Sequence, residues 1–81
     1  MVLITTKNGL EVFEENGVKF KEIQWFEDGR NKQRVTEFHG DKKHGFCITY
    51  YENGQKAQEK LYVEGDLQGI ALAWHKNGVE L

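Results

Sequence analysis

The chain has 81 residues, a formal net charge of −2, 38% apolar and 30% charged residues, and no proline. It is one small domain with a thin stability margin, since a chain this short buries only about 60–65% of its unfolded surface. No apolar run approaches the ~18 residues of a membrane-spanning helix, and the single cysteine, Cys47, has no partner for an internal disulfide.

The opening segment, Met1 to Thr6, lacks the charged start of a signal peptide and is too short to be one. With an unpaired Cys47, this points to a reducing, cytoplasmic setting and to no membrane insertion. Turn signals follow along the whole chain. They stand at Asn8-Gly9, Asn16-Gly17, Asp28-Gly29, Asn53-Gly54 and Asn77-Gly78, with His39-Gly40 and Glu64-Gly65 between them. Asn, Asp and Gly best tolerate the φ > 0 of both central residues in a type I′ turn, so each pair is expected at a hairpin tip. The missing prolines leave every strand its backbone donors.

Between the turns, apolar residues alternate. Phe46, Ile48 and Tyr50 fall on one side of their segment, with Cys47, Thr49 and Tyr51 on the other. Ile70, Leu72 and Trp74 repeat the pattern, as do Lys21, Ile23 and Trp25. Thr36 and Phe38, then Leu61 and Val63, are expected to join the same packed face from the returning strands. The other face, with Phe26, Thr49, Tyr51, Tyr62, Ala73 and His75, is expected to be polar. Residues 55–61 have helix-forming side chains, but Gly54 and Gly65 bound them at strand length and Leu61-Tyr62-Val63 favours a strand.

The chain also matches itself. Trp25-Phe26-Glu27-Asp28-Gly29, Tyr50-Tyr51-Glu52-Asn53-Gly54 and Trp74-His75-Lys76-Asn77-Gly78 align at a spacing of about 24 residues, as do Gly40 with Gly65 and Gly45 with Gly69. One all-β domain over 1–81 is expected: a degenerate repeat in 1–24, repeats in 25–49 and 50–73, and a truncated one in 74–81. Gly45 and Gly69, at strand starts, suggest bulges or backbone covered by a ring of Trp25, Tyr50 or Trp74. One repeat cannot bury its apolar face alone, so neighbours must stack. The array ends in open edges, of which the last strand near Val79 and Leu81 is expected to be the more exposed.

The run from Tyr50-Tyr51-Glu52-Asn53-Gly54-Gln55-Lys56 through Gly65-Asp66-Leu67-Gln68-Gly69 to Trp74-His75-Lys76-Asn77-Gly78 resembles the bacterial variant of the MORN repeat. It is similar to the YwqK-type antitoxin-like family. The likeness is strongest over 45–78. In 25–44 it departs at Asp28, which replaces Asn, and at Asp41-Lys42-Lys43-His44-Gly45, one residue longer than the pattern. The resemblance implies tandem β-hairpins in one elongated, twisted sheet. It also implies structural glycines and aromatics, no catalytic residues, and an inhibitor or antitoxin-like role in a bacterium or phage.

Charge is unevenly placed. Residues 1–29 carry three Lys against six acids, residues 30–44 five basic groups against two acids, and residues 45–81 three Lys against five acids. Arg30, Lys32 and Arg34 alternate and are expected on one strand face. Lys42 and Lys43 follow the next turn, and with Tyr51 or Tyr62 the set could grip a phosphate backbone. The competing reading is a solvated strand face whose lysines discourage edge aggregation. His39, His44 and Cys47 are of zinc-binding type, but their spacing matches no familiar finger. Cys47 shows no base at catalytic spacing. A non-catalytic protein-binding module is therefore expected, acting through a sheet face or edge, with a homodimer as one outcome, no cofactor and no metal. Nucleic-acid binding through residues 30–43 is the alternative.

Overall fold

The computed structural model describes residues 1–80, with the backbone alone at Ile70; Leu81, named above at the C-terminal edge, lies outside them. The strands are β1 (Val2–Lys7), β2 (Leu10–Glu15), β3 (Val18–Trp25), β4 (Lys32–His39), β5 (Lys42–Tyr50), β6 (Lys56–Val63) and β7 (Asp66–Ala73). Each pairs antiparallel with the next, in sequence order, as one open meander. An isolated bridge between Trp74 and Glu80 begins an eighth strand. No helix occurs among the described residues, and Lys56 to Leu61 lie in β6.

The turns are of two kinds, and the difference corrects the expectation of uniform type I′ tips. At one rim, Asn16-Gly17 and Glu64-Gly65 have positive φ at both residues, which is type I′. Between them the central pair is Gly40-Asp41, not His39-Gly40. His39 pairs with Lys42, and only Gly40 has positive φ, as in type II′. At the other rim Asn8-Gly9 is again type I′, but the remaining turns are wider. Gly29, Gly54 and Gly78 donate their N–H groups to the carbonyls of Phe26, Tyr51 and His75. Asp28, Asn53 and Asn77 do not enter the left-handed region. Their carboxyl or amide Oδ1 atoms instead accept the N–H of Arg30 (2.8 Å), Gln55 (2.9 Å) and Val79 (3.0 Å). This is the Asx turn, in which the side chain closes the loop and glycine alone supplies φ > 0.

Every strand pair except β1–β2 carries a register shift. Gln33 is an extra residue on β4, and Ala57 one on β6, 24 positions apart. Phe20 is extra on β3. Around Gly45 and Gly69 the bulge takes up two residues. No aromatic ring covers these glycines. A Cβ on Gly45, at φ +112°, would lie 2.6 Å from Glu37 Oε1 and 3.0 Å from Glu37 Cβ; one on Gly69 would meet open space. Glu37 Oε1 accepts the Phe46 N–H at 2.7 Å. The glycine thus admits a carboxylate that satisfies a backbone donor freed by the bulge.

Directly opposed residues share a face. One face carries the row Glu11, Ile23, Val35, Ile48, Glu59 and Leu72; the other carries Val12, Glu22, Thr36, Cys47, Lys60 and Ala71. Thr36 and Phe38 therefore lie opposite to the face expected for them, because the extra Gln33 moves the return strand by one position. Burial is correspondingly divided. Ile23 (6% exposed) lies on one face, and Thr36 (2%) and Cys47 on the other. Thr36 Oγ1 and Cys47 Sγ are 3.5 Å apart, which gives the buried hydroxyl a partner. The molecule is a slab of 40 × 33 × 16 Å. It exposes 5720 Å², above the roughly 5,000 Å² usual for its mass.

Candidate interaction surface

The bulge at Gln33 decides the fate of the basic hairpin. Lys32 pairs with Trp25 on the Ile23 face, whereas Arg34 pairs with Gln24 and Thr49 on the Thr36 face. Arg30 lies in the wide turn before β4, exposed. Lys42 and Lys43 begin β5 at the opposite rim, about 20 Å away along a strand of this length. The five cations expected to form one patch are thus divided between two faces and two rims.

Several lysines are instead seated on aromatic rings. Lys32 Nζ lies 5.9 Å from the Trp25 ring centre, and Lys43 Nζ 5.0 Å from that of Tyr62. Lys19 sits over Phe38 at 3.9 Å, and Lys56 over Trp74 at 6.0 Å. Lys19 and Lys43, like Phe38 and Tyr62, are 24 residues apart, so this cation–π contact recurs with the repeat. Lys56 also bonds Glu59 Oε1 at 2.9 Å, which raises its pKa above the ordinary 10.5. Tyr51 is taken up in the fold too. Its hydroxyl donates to the Trp74 carbonyl at 2.7 Å, and beside it Asn53 Nδ2 donates to the Lys76 carbonyl at 2.9 Å. These bonds tie one wide turn to the next. Phe26, which stands where Tyr51 does one repeat earlier, has no hydroxyl to do the same.

Of the metal-type residues, the structure brings His39 and His44 together and leaves Cys47 buried elsewhere. His39 Nδ1 lies 3.1 Å from Glu64 Oε1, and His44 Nδ1 accepts the Glu64 N–H at 3.1 Å. The hydrogen bond with His39 holds the Glu64 carboxyl below its ordinary range. The set fastens the tight Glu64-Gly65 turn, where Glu64 has φ 48°. Among the described residues no group of three or more His, Cys, Asp or Glu is placed to hold a metal ion.

Hollows break the sheet surface. An open cleft of about 1030 Å³ lies beside the wide rim, between Trp25, Phe26, Glu11, Asp28 and Glu52. It exists because the two-residue Asn8-Gly9 turn stops short of the longer loop beside it. Trp25 Nε1 donates to Glu11 Oε1 at 2.6 Å within it. A smaller hollow of about 440 Å³ lies at the Gly69 bulge, lined by Phe46, Leu61 and Leu72.

The most apolar exposed strand is β1, at the edge opposite the C-terminal one that is expected to be the more exposed. Val2, Leu3 and Ile4 are 53%, 57% and 51% exposed. The signal was present in the sequence, since Met1 to Thr6 runs without a charged side chain, glycine, Asn or Gln. Val79, at the other end, is also exposed. Compared with protein-family models, curated proteins and solved structures, the chain matches none.

Proposed function

We propose that this protein is a non-catalytic protein-binding module built of MORN-type hairpin repeats, and that it engages a partner polypeptide through the β1 edge and the adjoining apolar surface. The observation that carries this reading is the exposure of Val2, Leu3 and Ile4 on a strand whose outer side meets no other strand among the described residues. Fully burying a side chain of this size contributes about 1.5–3 kcal/mol, so half-exposed neighbours on one strand leave several kcal/mol to be gained on docking. An unpaired edge adds a row of backbone donors and acceptors that a second polypeptide can satisfy. The 24-residue recurrence of turns, bulges and lysine-on-ring contacts supports the MORN-type description. An inhibitor or antitoxin-like role in the cytoplasm accords with small size and an open edge. A nucleic-acid role would need the basic residues together, and their separation weighs against it.

The test is capture from a host extract, followed by reconstitution with the captured protein in pure form. A 1:1 complex is expected by calorimetry, lost on Leu3→Lys and retained on Lys76→Ala. A captured protein that fails to bind when pure, or binds L3K equally well, overturns the reading.

A further inference from the structure

We propose that the outer edge of β1 docks a second copy of this chain, as an antiparallel pair with its two-fold axis at Ile4. The inference rests on the protein-binding reading and gives that edge a specific occupant. In an antiparallel ladder, residues alternate between exchanging both backbone bonds with the partner strand and pointing those groups away. The Asn16 N–H donates to the Met1 carbonyl at 3.3 Å, and the register continues as Val2 opposite Glu15 and Lys7 opposite Leu10. Odd-numbered residues of β1 therefore bond inward to β2. Val2, Ile4 and Thr6 direct their N–H and C=O groups outward.

A two-fold axis perpendicular to the sheet can bring only residues of the same face opposite each other. With Ile4 on the axis, Val2 stands against the second copy's Thr6, and Ile4 against the second copy's Ile4. Every outward donor and acceptor from Val2 to Thr6 is then paired. On one face Ile4 meets its equivalent, flanked by Phe13, its cross-strand neighbour, and by Phe20, whose ring centre lies 6.1 Å from that of Phe13. On the other face Leu3 meets the second copy's Thr5. No charged side chain falls within the paired segment, and Lys7 lies beyond its end.

The devices that usually blunt a sheet edge are missing here. Edge strands are protected by prolines, charged side chains or bulges. Residues Val2 to Thr6 contain neither proline nor charge, and β1–β2 is the one named strand pair without a register shift. The edge is therefore regular, uncharged and self-complementary. Pairing of one short strand per copy buries less than the ~1,200 Å² of standard stable interfaces, so the dimer is expected to be weak and dependent on concentration.

The experiment is sedimentation velocity with amide hydrogen exchange over a dilution series of the intact chain. The expected result is a rising dimer fraction, with the Val2, Ile4 and Thr6 amides gaining protection as it rises while Leu3, Thr5 and Lys7 stay protected throughout. Ile4→Lys and Ile4→Glu each place like charges together at the axis and are expected to weaken dimerisation about tenfold or more, the factor that 1.4 kcal/mol represents. An equimolar mixture of I4K and I4E is expected to restore dimers, which also shows that both variants fold. A monomer at all concentrations with unchanging Val2, Ile4 and Thr6 amides overturns the proposal, as does a dimer indifferent to I4K or a mixture that fails to recombine. Failure here leaves the 1:1 complex with another protein to be judged by its own calorimetry.

Discussion

At the scale of single residues, the clearest constraint is at Gly45. Its φ of +112° suits glycine alone, and the Glu37 carboxylate occupies the space a side chain would need. Gly45→Ala is expected to cost about 2–3 kcal/mol, with the strain of a special backbone conformation added to displacement of the Glu37–Phe46 bond. Gly69→Ala adds its Cβ to open space at φ 42° and is expected to cost only about 1 kcal/mol. Urea denaturation measures both, and combining Gly45→Ala with Glu37→Ala should recover part of the first loss. A second residue-scale effect is electrostatic. Backbone N–H groups of Arg30 and Asn31 hold the Asp28 carboxyl below its ordinary 3.8. A depressed carboxyl pKa contributes stability above the unfolded value, and loses it as pH falls through the folded value. Wild type is therefore expected to lose stability relative to Asp28→Asn as the pH drops below 3.8, and the difference in urea midpoint between the two should be constant at higher pH.

At the scale of elements, the wide turns are held to one another as well as to their own strands. Tyr51→Phe removes the bond to the Trp74 carbonyl and is expected to destabilise by about 1 kcal/mol. Asn53→Ala removes both the bond from the Gln55 N–H and the bond to Lys76, whereas Asn53→Asp keeps the first and loses the second, so N53D should fall between wild type and N53A in thermal melts. The turn-bearing dipeptides were readable in the sequence because the demand for φ > 0 selects Gly, and Asn or Asp beside it. Their conformations were less readable, since Asn53 serves a turn equally well by its backbone or by its side-chain oxygen. Alternation located the strands, yet it placed Thr36 and Phe38 on the wrong face and gathered Arg30, Lys32 and Arg34 on one. Both errors arise at Gln33, except for Arg30, which lies in the wide turn before the strand begins. A bulge inserts a residue without a composition of its own, so counting by twos passes through it unnoticed. The β1 edge was expected to be open but ranked below the C-terminal one, for a different reason: periodicity describes which residues face together, but exposure depends on whether a neighbouring strand exists.

For the whole molecule, a single layer without a covering second layer concentrates its burial in the middle. Ile23, Thr36 and Cys47 lie on β3, β4 and β5, and stability in repeat-like arrays is propagated between neighbours. Native-state hydrogen exchange is expected to be slowest in β3–β5 and fastest in residues 74–80 and at the outward-directed Val2, Ile4 and Thr6 amides of β1 for dilute protein. Uniform protection from Val2 to Glu80 would contradict this. The two-rim construction has a practical corollary. The tight rim tolerates little change, because its Asn16-Gly17 and Glu64-Gly65 bends need left-handed backbone at both central residues, with no further loop residue to absorb it. The wide rim presents the loops at 27–30, 52–54 and 76–78 in a line, with about 10 Å between successive ones if each is two strand spacings from the last. Guest peptides spliced into those loops would be displayed as a ruler-spaced row, so the scaffold could be used to array short epitopes at fixed intervals.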